Sequence, residues 1–94
     1  MSSGAGQLAD GLQDWAPAYS MSKTALNSLT QHFAAALPGF AINAVSPGWV
    51  RTEMGGDAAP LSVEQGADTP VWLATEAPQE LTGKFLRERE ELAW

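Results

Sequence analysis

The sequence predicts an α/β fold in which short parallel strands belong to an incomplete sheet, with residues 1–94 as one domain portion. Three observations carry that prediction. Apolar residues recur at helical spacing over about 17–37. A short, mostly apolar run, 40–45, lies between chain breakers. The same order, helix and then strand, returns over 62–86. Alternating helices and strands are the pattern of a parallel sheet with helical crossovers. Two short strands alone make a marginal sheet. The expectation is therefore that these residues form the C-terminal part of a larger α/β domain.

Each element has its own signal. Residues 1–16 are rich in Gly, Ser, Ala and Asp and read as a loop with a short turn. Pro17 opens the first helix, because its fixed φ suits the first turn and its missing N–H is not needed there. Leu26, Leu29, Phe33 and Leu37 then repeat every three or four residues, as a helix with one apolar face requires. Pro38-Gly39 ends it. Phe40 to Val45 suits a buried parallel strand, and Ser46-Pro47-Gly48 closes that strand. Residues 49–61 read as irregular, pivoting at Gly55-Gly56. Ser62-Val63-Glu64-Gln65 is a capping box, which starts a second helix running to about Thr75. Pro70 inside it predicts a kink or break. Glu80 to Gly83 reads as a turn, and Lys84-Phe85-Leu86 as a second strand. Trp72 is expected in the core, His32 on a helix surface, and Glu88, Glu90 and Glu91 on a solvated surface.

Composition excludes several functions. With 5 basic and 11 acidic residues the net charge is −6. That sign opposes a nucleic-acid or anionic-membrane surface. It still allows one small anionic cofactor, which local dipoles can hold. The absence of cysteine removes disulfides, thiolate metal sites and a cysteine nucleophile, and a lone His32 rules out a histidine-rich metal site. No apolar stretch reaches the ~18 residues of a membrane span. The first residues carry no basic region or apolar run, so no signal peptide is expected. A soluble, reducing compartment, the cytoplasm, is the expected location.

Tyr19 and Lys23 are the main chemical candidates. Four residues apart on a helix, they share a face one turn apart. An ammonium beside a phenol favours its ionised form. General acid–base catalysis needs that kind of tuning. The same spacing also occurs on helices with no chemical role. On the helical wheel the pair lies close to the stripe of Leu26, Phe33 and Leu37, and is expected where the sheet-facing side meets the N-terminal end. Ser2-Ser3-Gly4 offers hydroxyls that can polarise a carbonyl without ionising, although turn and cap serines are commoner. No acid–histidine pair accompanies them, which excludes a serine hydrolase. Ser46 to Thr52 follows a strand at its carboxyl end, where α/β sheets bind ligands. Backbone groups around Val50 and the Thr52 hydroxyl suit a flat amide or a phosphate, or the stretch is an ordinary connection. Trp15 and Trp49 border this region and suit the wall of an apolar pocket.

The ordered set resembles the C-terminal half of a short-chain dehydrogenase/reductase. The residues that carry the likeness are Ser2-Ser3-Gly4, Tyr19-Ser20-Met21-Ser22-Lys23 and Ile42 to Met54. The stretches Ser62 to Ala74 and Thr82-Gly83-Lys84-Phe85 resemble the carbonyl-reductase branch in particular. The resemblance implies a Rossmann-like doubly wound parallel sheet, present here in part. It implies NAD(P)H-dependent reduction of a carbonyl compound, or the reverse alcohol oxidation. Tyr19 then exchanges a proton with the substrate oxygen. Lys23 stabilises the phenolate and bonds the nicotinamide ribose, and Ser3 orients the carbonyl. Tyr19, Lys23, Pro47, Gly48, Val50 and Thr52 bind the cofactor, with NADP(H) favoured over NAD(H). Residues 53–61 resemble the mobile substrate loop.

Two departures from the family pattern stand out. The gap from Ser3 to Tyr19 is longer than its common spacing. The glycine-rich phosphate loop, the residue selecting NAD or NADP, and the catalytic asparagine lie upstream of the matching region. The chain alone is therefore expected to bind nicotinamide cofactor weakly or not at all and to be inactive. The competing expectations are a non-catalytic remnant or small interaction module, or pairing of helix 17–37 between chains. Trp15, Trp49 and Met54 point to an apolar or aromatic ketone, aldehyde or quinone. The oligomeric state stays open.

Overall fold

Pro17 and Pro38-Gly39 bound the first helix as their backbone chemistry requires. Helix α1 spans Pro17–Ala36, with Pro17 in its first turn. The computed structural model describes residues 1–11 and 14–94, so residues 12 and 13 of the opening loop lie outside the described residues. The loop contains a single 3-10 turn over Gly4–Gly6, capped by the Ser3 hydroxyl, which accepts from the Ala5 N–H. Ala16, just before α1, adopts a left-handed conformation (φ 48°). Helix α2 spans Val63–Thr75 behind the expected capping box. The Gln65 N–H donates to the Ser62 hydroxyl at 3.1 Å, and the Ser62 N–H donates to the Gln65 side chain at 2.8 Å. Contrary to expectation the helix does not break at Pro70.

Three strands form one sheet in the order β1-β2-β3: Ala44–Val45, Phe85–Arg87 and Glu90–Leu92. β1 and β2 are parallel, with Ala44 opposite Phe85, as the α/β reading requires. β1 is shorter than the apolar run predicted. Residues 40–43 are held by a backbone bond from the Gly83 N–H to the Ile42 carbonyl at 2.7 Å and by side chains. Asn43 donates to the Leu81 carbonyl at 2.7 Å and accepts the Lys84 N–H at 3.0 Å. The Thr82 hydroxyl accepts the Ile42 N–H at 3.0 Å. On the other side of β1, the Ser2 N–H donates to the Val45 carbonyl at 2.7 Å. The first residues thus run beside β1.

The acidic tail is more than a solvated surface. Glu90–Leu92 pairs antiparallel with β2 through a two-residue turn at Glu88 and Arg89, both with positive φ (52° and 63°). The sheet is therefore mixed. Such turns normally use Asn-Gly. Here Arg89 is fixed from outside the hairpin. Its N–H donates to the Thr69 hydroxyl, and its guanidinium bonds both oxygens of Asp68 at 2.8 and 2.7 Å. That guanidinium also lies 5.6 Å from the Trp72 ring centroid. Trp72 is consequently half-buried under an arginine rather than in the core.

The core is small: Ala44, Val45, Ala59, Phe85 and Leu86 are buried, and Phe85 stacks on Trp94 with 5.6 Å between centroids. Helix α1 faces inward differently from the apolar stripe. Leu29, Phe33 and Leu37 are exposed, while Ser20, Asn27 and Thr30 are buried. The inward line is Ser20, Asn27 and Thr30, with Lys23 and Ala34 half-buried beside it, about a quarter-turn from the leucines. The cause is close backbone approach. Any Cβ on Gly6 would lie 2.6 Å from the Lys23 carbonyl carbon. Only small or polar side chains fit between α1 and the 3-10 turn, and Thr24 and Asn27 both bond the Gly6 carbonyl there.

Candidate active site

The carboxyl end of β1, the turn after Ser3 and the start of α1 converge because two polar side chains tie them together. Ser46, buried at the end of β1, accepts the Gly4 N–H at 3.2 Å and the Gly48 N–H at 3.4 Å through its hydroxyl. Ser2, also buried, donates to the Asn27 side chain at 2.5 Å. Ser2 is thereby committed to α1, and the half-buried Ser3 is the serine of the pair not held by that bond. A cavity of about 910 Å³ opens at this junction. Ser3, Tyr19, Pro47, Gly48, Val50 and Thr52 all line it.

Tyr19 is partly exposed and sits one helical turn before Lys23. The Lys23 ammonium lies 5.6 Å from the Tyr19 ring centroid and donates to the Met1 carbonyl at 3.2 Å. Lys23 does not itself line the cavity. The ammonium and phenol therefore share one face of α1 at the edge of its inward side, and the phenol is the one that lines the cavity.

The loop after β1 is shaped by glycine. Gly48 has φ +80°, and a Cβ there would strike Leu61 Cδ1 at 2.7 Å. Val50 bridges Leu61 in parallel. The flanking bonds run from Arg51 N–H to the Leu61 carbonyl and from Leu61 N–H to the Trp49 carbonyl. In such a pairing Val50's own N–H and C=O point away from Leu61. The carbonyl accepts the Thr52 N–H at 2.9 Å. The Thr52 hydroxyl accepts the Gly55 N–H at 3.1 Å, so it shapes the turn as well as lining the cavity. The Val50 side chain packs against Gly66 of α2, where an added Cβ would meet it at 2.5 Å.

Trp15 and Trp49 line the cavity, and the Trp49 ring N–H donates to the Gly55 carbonyl at 2.8 Å. Among the lining residues that sequence reasoning did not single out as site residues, Ser46 and Arg87 carry polar side chains. Ser46 carried no signal beyond its place in the loop motif. Arg87, also in the lining, sat in a charged tail without pattern. Among the described residues no cluster of His, Cys, Asp and Glu could hold a metal ion, and no helix is long and apolar enough to cross a membrane.

Known proteins share this fold over part of their length. A family model described as "Enoyl-(Acyl carrier protein) reductase" matches residues 1–74. Carbonyl reductase [NADPH] 1 of Sus scrofa is 47% identical over 58 residues, covering 56% of this chain and 19% of its own length. The carbonyl reductase Sniffer of D. melanogaster superposes on the whole chain with a TM-score of 0.86 and 34% identity, over 39% of its length. The NADPH-bound carbonyl reductase from chicken fatty liver does so with a TM-score of 0.84 and 30% identity, over 38% of its length. The chain thus spans between a fifth and two fifths of these relatives.

Proposed function

The chain belongs to the short-chain dehydrogenase/reductase family, and we propose that its residues serve NADP(H)-dependent reduction of a small carbonyl compound, or the reverse oxidation of an alcohol. The observation that carries this is the convergence on one cavity of Ser3, Tyr19 and the Pro47–Val50 loop, with the Lys23 ammonium beside the Tyr19 ring.

The residues present fit the nicotinamide end of such a cofactor. The cradle at Gly48 admits no side chain. The Val50 N–H, turned away from Leu61, suits the oxygen of a flat carboxamide. Pro47 and Thr52 complete that wall, and Lys23 is the group that would bond the ribose. NADP(H) is preferred because relatives named or described with NADPH share this part of the fold. When bound, the cofactor supplies the hydride that adds to the carbonyl carbon. Ser3 donates a hydrogen bond to the carbonyl oxygen and orients it. Tyr19 gives its phenolic proton to the same oxygen as it gains charge, and takes a proton in the alcohol-oxidising direction. The ammonium of Lys23 stabilises the phenolate that the transfer leaves. The substrate is a small ketone, aldehyde or quinone, and the site works in the cytoplasm.

In this reading residues 1–94 are the C-terminal portion of the family's domain. They contain no G-x-G-x-x-G loop for the cofactor phosphates. The chain alone is accordingly inactive. The test is NADPH consumption with simple ketones and quinones, by the chain alone and by the chain mixed with a family member's N-terminal half. Turnover in the mixture is expected to drop about 10²–10⁴-fold in Tyr19→Phe. Undiminished turnover in that variant would overturn the assignment, and turnover by the chain alone would overturn its inactivity.

A further inference from the structure

We propose that Arg87 selects carbonyl substrates that carry a carboxylate, which deepens the hydride-transfer reading of the same cavity and rests on it. Parallel strands deliver their carboxyl ends to one edge of a sheet. β2 therefore ends beside β1, and Arg87 is its last residue. The side chain reaches across that edge. A Cβ at Gly48 would lie 3.9 Å from Arg87 Cδ, and one at Gly4 would lie 3.9 Å from its Nη1. The aliphatic stem thus passes the loop after β1, and the guanidinium ends beside the residue following Ser3.

Charge makes this position unusual. Among the described residues Arg87 is the sole charged side chain lining the cavity, in a chain of net charge −6. Its neighbour Arg89 shows what a structural arginine looks like here, with both arms on Asp68. Arg87 makes no comparable ion pair among the described residues. Asp10 shares an adjoining cavity with it, and Glu90 is its cross-strand partner, yet neither lies within ion-pair distance. An exposed guanidinium presents a planar fork that fits a carboxylate bidentately. Trp15 and Trp49 line the same cavity and give it apolar surface. A substrate with an aromatic body, a carbonyl at Tyr19 and a carboxylate at Arg87 matches this lining.

The probes are 4-formylbenzoate and its neutral methyl ester, titrated against tryptophan fluorescence of the full chain. The acid is expected to bind about tenfold more tightly than the ester at low salt. That preference should shrink as salt rises, because the arginine is exposed. Arg87→Gln should abolish the preference and leave ester affinity unchanged, and Arg87→Lys should keep part of it. Equal binding of acid and ester by the unaltered chain would overturn the proposal, as would no saturable binding of either. Equal weakening of both ligands in Arg87→Gln would assign the residue to packing. Weakened NADPH binding in that variant, with the acid preference intact, would assign it to the cofactor. Either result refutes substrate selection. Binding needs no turnover, so this outcome is independent of the Tyr19→Phe test.

Discussion

Gly6→Ala strikes the contact that joins the Ser3 turn to the Lys23 helix. Gly6 is buried, and a Cβ on it would lie 2.6 Å from the Lys23 carbonyl carbon, 2.7 Å from Lys23 Cβ and 2.7 Å from the Thr24 nitrogen. Two of these are backbone atoms, which cannot rotate away. The 3-10 turn and α1 must separate. That movement strains the bonds from the Thr24 hydroxyl (3.0 Å) and the Asn27 amide (3.4 Å) to the Gly6 carbonyl. Overpacking of this kind costs about 1–3 kcal/mol, and each weakened bond about 0.5–1.5 kcal/mol. A loss of about 2–6 kcal/mol follows. At about 4–8 °C per kcal/mol for a chain of this size, the thermal midpoint should fall by roughly 10 °C or more. Gly39→Ala is the control. No atom lies within 4 Å of a Cβ there. By restricting the unfolded chain it should stabilise by about 0.4–1 kcal/mol. Thermal and urea unfolding followed by circular dichroism measure both. A Gly6→Ala midpoint within about 2 °C of the unaltered chain would refute the close-approach argument. So would equal damage from the two substitutions.

Two further outcomes concern the sheet. Asn43→Ala removes both side-chain bonds from Asn43 to residues 81–84, and leaves the Lys84 N–H and Leu81 carbonyl without those partners. It should cost about 1–3 kcal/mol in urea unfolding, and no change would refute the clamp. The Arg89 guanidinium, bonded to Asp68, holds that carboxyl below its ordinary value of 3.8. A depressed folded value contributes stability that is present above the ordinary value and lost as pH falls through the folded one. The hairpin turn should therefore loosen in acid below that ordinary value. Asp68→Asn should flatten this part of the stability–pH curve, and an unchanged acid limb would refute the link.

The helices were legible because their signals are local. Pro17, Pro38-Gly39 and the Ser62–Gln65 box act on their own backbone, and both helices lie within a residue or so of expectation. The four-residue spacing of Tyr19 and Lys23 likewise put both on one face before any fold was known. The inward side of α1 was not legible. Leucine and phenylalanine at helical spacing normally mark the buried face. Here Gly6 brings another backbone so close that Asn27 and Thr30 occupy that side instead. The strand Glu90–Leu92 was hidden for a similar reason. Glu88 and Arg89 are poor turn residues, and their positive φ is held by Thr69 and Asp68, some twenty residues away. Arg87 looked like one more surface charge until β2 paired in parallel with β1 and carried it to the cavity.

By itself, then, the sequence determined what rests on neighbouring residues: where the helices begin and end, and which groups share a helical turn. Tertiary structure decided which faces turn inward, which strand closes the sheet and which charge meets the site. Those outcomes depend on contacts between residues far apart in the chain, whose energies no local pattern encodes.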